Sequence, residues 1–169
     1  MGRTADYSRQ SCAIAATLEV IGDPWTLLVI RDAFRGVRRF EQWQERLGVA
    51  RNVLAARLKS LVAHGVLEQR VYSERPLRHE YVLTPKGKDL NAVLLTLFDW
   101  GARHLYHDPD CAGVTFKHTP CGHTLKPVLV CSDCGEPIRP RDLEMIVAPG
   151  PTVGEVLARE EETRQEEPA

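Results

Sequence analysis

Two short helical patterns, a glycine between them and a pair of strand patterns follow one another in residues 40–83. Apolar residues recur at helical spacing at Phe40, Trp43 and Leu47, and Gly48 follows where a helix end needs a positive φ. A second helix is predicted over residues 50–64, and a β-hairpin pairs residues 67–72 with residues 78–83. This order of helix, tight turn, helix and β-ribbon predicts a winged helix-turn-helix, a motif that places one helix in the major groove of DNA.

Flanking helices complete a mainly α domain, expected over residues 1–107, in which the hairpin is the wing. One helix is predicted over residues 11–20. Another opens at Asp23, whose side chain can accept from the free N–H groups of the first turn, and Pro24 fits the first helical position. A long helix follows Thr84 and Pro85 and reaches about residue 104. Its apolar stripe predicts a homodimer, because helix-turn-helix proteins usually bind DNA as two-fold pairs; packing into its own core is the alternative. The stripe comprises Leu90, Val93, Leu94, Leu97, Phe98, Trp100 and Leu105.

The net charge of −1 hides a basic first part of the chain and an acidic second part. Residues 1–107 carry 16 basic and 11 acidic side chains, whereas residues 108–169 carry 6 and 12. Residues 31–78 alone contain 11 basic and 5 acidic side chains. A locally basic helix-turn-helix segment predicts phosphate binding, so double-stranded DNA is the expected partner.

The start of the second motif helix carries the residue types that recognise bases. Arginine can bond guanine O6 and N7 together, and asparagine can do the same for adenine N6 and N7. Arg51 and Asn52 are therefore the predicted base-reading residues, and small Ala55 and Ala56 would let the helix approach closely. The other predicted DNA contacts, to phosphates or to the minor groove, are Arg38, Arg39, Arg57, Lys59, Arg75 and Arg78.

Five cysteines, three of them within fourteen residues, indicate a metal site more than a disulfide framework. Their odd number and the polar residues 1–10, which lack a secretion signal, argue against disulfides. His118 and Cys121 are separated by two residues and followed by a glycine, and Cys131 and Cys134 repeat this pattern. Because such turns direct two side chains toward one tetrahedral ion, a structural Zn²⁺ in a small β-ribbon is predicted for residues 108–148.

The sequence offers three candidates for the fourth zinc ligand. His118 fits the spacing best, while His123 and Cys111 are alternatives, and a metal-free segment is the competing interpretation. A closed four-ligand site would be structural, since it leaves no open position for catalysis. Beyond it, one short helix is expected over residues 153–159, and the acidic tail, residues 149–169, is otherwise expected to be disordered.

Several stretches of residues 11–105 resemble HxlR-type bacterial transcriptional regulators. The matching stretches are Cys12-Ala13-Ile14, Val20-Ile21-Gly22-Asp23-Pro24-Trp25-Thr26-Leu27-Leu28, Gly36-Val37-Arg38-Arg39-Phe40, Arg51-Asn52-Val53-Leu54-Ala55-Ala56-Arg57-Leu58, Tyr81-Val82-Leu83-Thr84-Pro85-Lys86-Gly87 and Trp100-Gly101. The resemblance implies a MarR-like homodimer joined through its N- and C-terminal helices. Carried over from some members of the family, Cys12 would be a sensor of oxidants or electrophiles, although Ala13 replaces the proline that usually follows this cysteine. An inert, packed cysteine is the alternative.

Other functional classes find little support in the sequence. No nucleophile and base motif, phosphate loop or informative pair of acids indicates an enzyme, and no stretch approaches the roughly 18 apolar residues of a membrane span. A cytoplasmic DNA-binding regulator is therefore expected, and a small-molecule effector is compatible with it. The alternative is a zinc-ribbon interaction module whose winged helix contacts protein instead of DNA.

Overall fold

Six helices and one β-hairpin make up the regular structure of the computed structural model, which describes residues 6–106 and 113–166. The chain divides into two units, one combining residues up to Lys88 with those from Ala148 onward, and one running from Asp89 to Val147. The boundary between Lys88 and Asp89 lies inside the long helix, earlier in the chain than the domain boundary predicted at residue 107. The elements are α1 (Ala13–Ile21), α2 (Pro24–Phe34), α3 (Phe40–Leu47), α4 (Arg51–Ala63), β1 (Leu67–Glu74), β2 (Leu77–Leu83), α5 (Pro85–His104), a 3₁₀ turn (Pro140–Asp142) and α6 (Val153–Glu166).

Local signals in the sequence set the start of α2 and the end of α3. The Asp23 carboxylate accepts a hydrogen bond from the backbone N–H of Trp25 at 3.0 Å, which caps α2 as the sequence predicts. Gly48 has φ 62° and ends α3, a backbone conformation that other residues adopt only with strain. The turn between α3 and α4 is therefore short, and α4 begins three residues later.

Trp43 forms the centre of the core in the first unit. Its side chain is fully buried, and its indole Nε1 donates a hydrogen bond to the carbonyl oxygen of Val29 at 3.1 Å. One face of α4 closes the same core through Leu54, Leu58 and Leu61, which are almost completely buried. These three leucines lie on the face predicted to be structural, so the opposite face of α4 is left for solvent.

The hairpin pairs β1 and β2 antiparallel, with Leu67 opposite Leu83 at its base. The register shifts between Val71 and Ser73, which leaves Tyr72 without a partner in the ladder. Both strands run further toward the tip than the sequence predicts. The wing is joined to the segment before α3 by a hydrogen bond from the N–H of Tyr81 to the carbonyl oxygen of Arg38 at 2.8 Å.

The start of α5 is held against the end of α4 by Thr84 and Gly87. The Thr84 hydroxyl donates to the carbonyl oxygen of Gly65 at 2.6 Å and accepts from the N–H of Gly87 at 3.0 Å. Gly87 is buried, and a Cβ added to it would overlap the carbonyl oxygen of Val66. A close backbone approach therefore requires glycine at this position.

The acidic C-terminal segment is helical for longer than the sequence predicts. The sequence predicts disorder from Glu160 onward, whereas α6 continues to Glu166. Val153 is buried, its N–H donates to the carbonyl oxygen of Gln10 at 2.8 Å, and Lys86 Nζ bonds Glu160 Oε1 at 2.9 Å. These contacts within the first unit stabilise α6, although the acidic composition of its second half does not by itself predict a helix.

Residues 113–147 contain little regular structure. Apart from β1 and β2, strand pairing in the described residues is limited to two isolated bridges, Lys117 with Thr124 and Val130 with Pro137. Among the described residues, the β-ribbon predicted for this segment is therefore limited to these two bridges. No single helix among the described residues is long and apolar enough to cross a membrane, although α1 and α2, bent by 78° at their junction, together meet the length and composition required.

Replacing Gly87 by alanine should lower the free energy of unfolding by about 1–3 kcal/mol, because the new methyl group must displace the Val66 carbonyl or shift α5. Denaturant titration followed by circular dichroism measures the change. Gly150→Ala is the matched control, since a Cβ at Gly150 would meet no atom within 4 Å. Equal stability of the two variants would contradict the close approach described for Gly87.

Candidate nucleic-acid interface

The exposed face of α4 presents the residues that the sequence predicts to contact bases. Arg51, Asn52 and Lys59 are all exposed, and so are Ala55 and Ala56 between them. They lie opposite the buried leucines of the same helix, because spacings of four and eight residues return to one face. The structure thus brings the predicted base-reading pair, two small residues and one lysine together on a single surface.

Arg51 is positioned by the preceding helix. Its Nη1 donates to the Oε1 of Gln44 at 2.8 Å, and its guanidinium carbon lies 4.9 Å from the centroid of the Phe40 ring. Both partners belong to α3, so the first helix of the motif orients a side chain at the start of the second. No local pattern in the sequence connects a glutamine with an arginine in the next helix, so this role of Gln44 is visible only in the structure.

Arg57 does not share the exposed face of α4. Its guanidinium pairs with the Asp23 carboxylate at 3.2 Å, and its side chain is 27% exposed. Asp23 thus has two roles, as the cap of α2 and as the partner of Arg57. The arrangement ties α4 to the start of α2, and differs from the phosphate contact that the sequence predicts for Arg57.

The segment before α3 and the wing form a second basic surface. The backbone N–H groups of Arg38 and Arg39 both donate to the Gln42 side chain, at 3.3 and 3.0 Å. The Arg39 guanidinium stacks over the Tyr72 ring at 4.5 Å, and Arg38 Nη1 lies 4.0 Å from Glu80 Oε1. Both arginines are exposed, so they remain accessible while the wing orients them.

The tip of the wing carries the last two predicted contacts. Arg75 lies in the turn between the strands, and Arg78 pairs with Ser73 near the start of β2. Both residues are exposed. A hairpin tip with two arginines has the charge and the narrow shape that suit a DNA backbone or minor groove.

A buried carboxylate neutralises part of the basic segment. Asp32 is completely buried, and its oxygens lie 3.0 Å from Arg31 Nε, 3.7 Å from Arg35 Nη1 and 3.5 Å from Arg46 Nε. A buried charge is tolerated when it is paired in this way. Three arginines of the basic segment therefore stabilise the junction of α2 and α3, which the count of charges in the sequence does not reveal.

The predicted zinc ligands form two separate pairs in two similar turns, residues 117–124 and residues 130–137, which we call the first and second knuckle. His118 Nδ1 lies 3.2 Å from Cys121 Sγ in the first knuckle. In the second, backbone N–H groups of Cys134 and Asp133 donate to the Cys131 sulfur, which lowers the pKa of that thiol. Within residues 6–106 and 113–166, however, no three His, Cys, Asp or Glu side chains converge on one metal-sized site.

Of the two alternative fourth ligands, His123 alone lies within the described residues. The carbonyl oxygen of His123 accepts from the N–H of His118 at 2.9 Å, so His123 enters the first knuckle through its backbone. Cys111 lies outside the described residues. The histidine beside a thiol in the structure is thus His118, the one that the spacing favours.

Cys12 is an exposed free thiol at the N-terminus of α1. It borders a shallow cleft of about 370 Å³ that Pro151, Val153 and Val156 also line. The neighbouring Ser11 hydroxyl donates to the carbonyl oxygen of Gly150 at 3.0 Å. The cysteine is therefore open to solvent reagents while the residues around it are fixed by the C-terminal segment.

The comparisons with known proteins agree with this arrangement. Residues 20–109 match the family model described as HxlR-like helix-turn-helix. An uncharacterized HTH-type transcriptional regulator of Mycobacterium tuberculosis strain H37Rv is 41% identical over 138 residues, which cover 82% of this chain and 87% of the relative.

Solved structures show the same fold. The crystal structure of PA1607, described as a candidate transcription factor, superposes with a TM-score of 0.74 and 37% identity over 83% of this chain and 97% of its own. The redox regulator HypR in its oxidized form superposes with a TM-score of 0.51 and 29% identity over 56% of this chain and 97% of its own. The chain therefore belongs to the HxlR-like helix-turn-helix family.

Proposed function

We propose that the protein is a transcriptional regulator that binds DNA as a homodimer and recognises inverted-repeat operators. The observation that carries the proposal is the exposed face of α4, where Arg51 is held by Gln44 and Phe40 beside Asn52. An arginine oriented before binding loses less conformational freedom when it forms two bonds with a guanine. The regulator names of the relatives support the same assignment.

The contacts to DNA divide by position on the domain. Arg51 and Asn52 would read base edges from the N-terminal end of α4, because recognition helices usually enter the major groove with that end. Lys59, two turns further along, would meet a phosphate. Arg38, Arg39, Arg75 and Arg78 are exposed before α3 and on the wing, where they would fix the position of the domain along the backbone.

Exposed apolar side chains support the homodimer. On α5, Val93, Leu97 and Trp100 are 41%, 49% and 51% exposed. They recur at spacings of three and four residues, which places them on one face of the helix. Ile14 on α1 is also exposed. A second copy of the chain would cover such a stripe, and two-fold symmetry would present two recognition helices to successive turns of DNA.

Selection of bound sequences from a random DNA pool at near-physiological salt tests the function directly. We expect enrichment of an inverted repeat whose half-sites are separated by about one helical turn, roughly 10 base pairs. The proposal would be contradicted if folded protein enriched no sequence and also bound DNA no better than a matched acidic control protein. It would instead favour a winged helix that contacts protein.

Three alanine variants separate base contacts, phosphate contacts and folding contacts on α4. Arg51→Ala should weaken binding to the selected site by about 1–3 kcal/mol and relax its sequence preference. Lys59→Ala should weaken binding to all sequences alike and reduce the salt slope by about one unit. Arg57→Ala should lower stability by about 1–2 kcal/mol through loss of its pair with Asp23, with little change in the salt slope. Fluorescence anisotropy at several salt concentrations and denaturant titration measure these effects, and a sequence-selective loss in Lys59→Ala would refute its assignment.

Leu97→Glu should dissociate the homodimer, since a charge would be placed within the apolar stripe of α5. Sedimentation velocity measures the change in mass. Asn91→Glu is the control, because Asn91 is exposed on the same helix and lies about half a turn away from the stripe. A wild-type protein that sediments as a monomer at micromolar concentration would rule out the proposed dimer.

We further propose that the regulator responds to oxidants and that Cys12 is the residue oxidised. The thiol is exposed, and the redox regulator HypR shares the fold of this chain. Stoichiometric hydrogen peroxide should oxidise Cys12 to a sulfenic acid, with water as the second product, and change affinity for the selected DNA. Peptide mass spectrometry, with Cys12→Ser as the control for DNA binding, tests this. An unmodified Cys12 would exclude it as the sensor.

A further inference from the structure

The two knuckles share one backbone hydrogen-bond pattern, displaced by thirteen residues. In the first, the N–H of His118 donates to the carbonyl oxygen of His123 at 2.9 Å, and the N–H of Gly122 donates to the carbonyl oxygen of His118 at 2.8 Å. In the second, Cys131 donates to Glu136 and Gly135 returns to Cys131, both at 2.9 Å. Gly122 and Gly135 also have matching φ angles of 76° and 73°.

The repetition continues on both sides of each turn. Leu125 donates to Phe116 at 2.7 Å across the first knuckle, and Ile138 donates to Leu129 at 2.9 Å across the second. Two turns with unrelated side chains have no reason to share three hydrogen bonds and one glycine conformation, four features in all, at equal spacing. What they do share in side chains is a metal-ligand type at the first and fourth positions of each turn.

We propose that His118, Cys121, Cys131 and Cys134 bind one structural Zn²⁺ within each chain, which would bring the two knuckles together. Zn–S and Zn–N bonds of about 2.3 and 2.0–2.1 Å at a tetrahedral angle separate the two ligand atoms by about 3.6 Å. The 3.2 Å between His118 Nδ1 and Cys121 Sγ is near that separation. Each knuckle therefore supplies half of a tetrahedral site, and the ion would complete it.

The packing of this segment supports a need for metal. Val128, Leu129 and Val130 are at least half exposed, as are Met145 and Ile146 beyond the second knuckle. Burial of so few apolar side chains gives a segment of this size little free energy of folding. Binding of a structural ion supplies such free energy in other small domains. Since any 138-residue stretch of this chain includes residues 32–138, both knuckles lie within the region shared with the mycobacterial relative.

Four protein ligands define the chemistry of the site. Such an ion has no open position, so it would hold the fold of residues 113–147 and take no part in a reaction. The three thiols would be bound as thiolates, which releases protons on binding and makes zinc affinity fall at low pH. Cys12 is not among the four ligands and belongs to the other unit.

Metal content of the purified full-length protein tests the proposal. We expect one zinc per chain by elemental analysis, and replacement by Co²⁺ should give the visible absorption of tetrahedral cobalt with thiolate ligands. Cys134→Ser should weaken metal binding by at least about tenfold, as should His118→Asn. Cys12→Ser and His123→Asn are the matched controls and should retain one equivalent.

Limited proteolysis gives a second readout that does not depend on the variants. Chelator should expose residues 113–147 to cleavage, and added Zn²⁺ should restore protection. No zinc at purification together with no cobalt spectrum after reconstitution would overturn the proposal. Half an equivalent per chain would overturn it as well, in favour of an ion shared by two chains. Equal loss in His123→Asn and His118→Asn would reject the assignment of His118. None of these outcomes depends on whether the protein binds DNA.

Discussion

The position of α4 depends on the burial of Trp43. Its indole donates to the Val29 carbonyl, which links α3 to α2, and its ring meets that of Tyr81 edge-on with centroids 6.0 Å apart. A single side chain thus joins two helices and the wing. Loss of a fully buried tryptophan typically costs about 3–5 kcal/mol, a large part of the stability of a small domain. The leucine face of α4 packs into the same core, so the direction in which Arg51 projects is set by contacts on the opposite side of its helix.

Electrostatic interactions divide the arginines of the first unit into two groups. One group surrounds Asp32 or pairs with Asp23, where its charges compensate buried or half-buried carboxylates. The other group is exposed on α4, before α3 and on the wing. In the second group, the guanidinium of Arg51 lies over Phe40 and that of Arg39 over Tyr72, an arrangement that orients the charge without neutralising it. The surface offered to DNA is therefore smaller, but better ordered, than the total of basic residues suggests.

Residues 113–147, which contain the two knuckles, owe little of their order to a buried core. Their apolar residues are mostly exposed, and their order comes from two repeated turns. The first unit, by contrast, is stabilised by a core and by α6, whose start is fixed when the Glu155 carboxylate accepts from the N–H of Thr152 at 2.7 Å. That bond lowers the pKa of Glu155, and it forms a capping box that the order of Thr152 and Glu155 in the sequence could have revealed. The acidic composition of residues 160–166 predicts disorder, whereas this capping box favours a helix that starts at Val153 and continues through them.

The sequence by itself determined the elements whose causes are local. The ends of α2 and α3, the extent of α4 and the pairing of the hairpin follow from Asp23, Gly48 and the periodicity of apolar residues, all of which act within a few residues. The tertiary structure alone decided which long side chains remain free. Arg57 and Arg51 are indistinguishable as members of a basic helix, yet one is paired with Asp23 and the other is held by Gln44. Their roles differ because their partners come from other helices, and only the packing of α2, α3 and α4 brings those partners within reach.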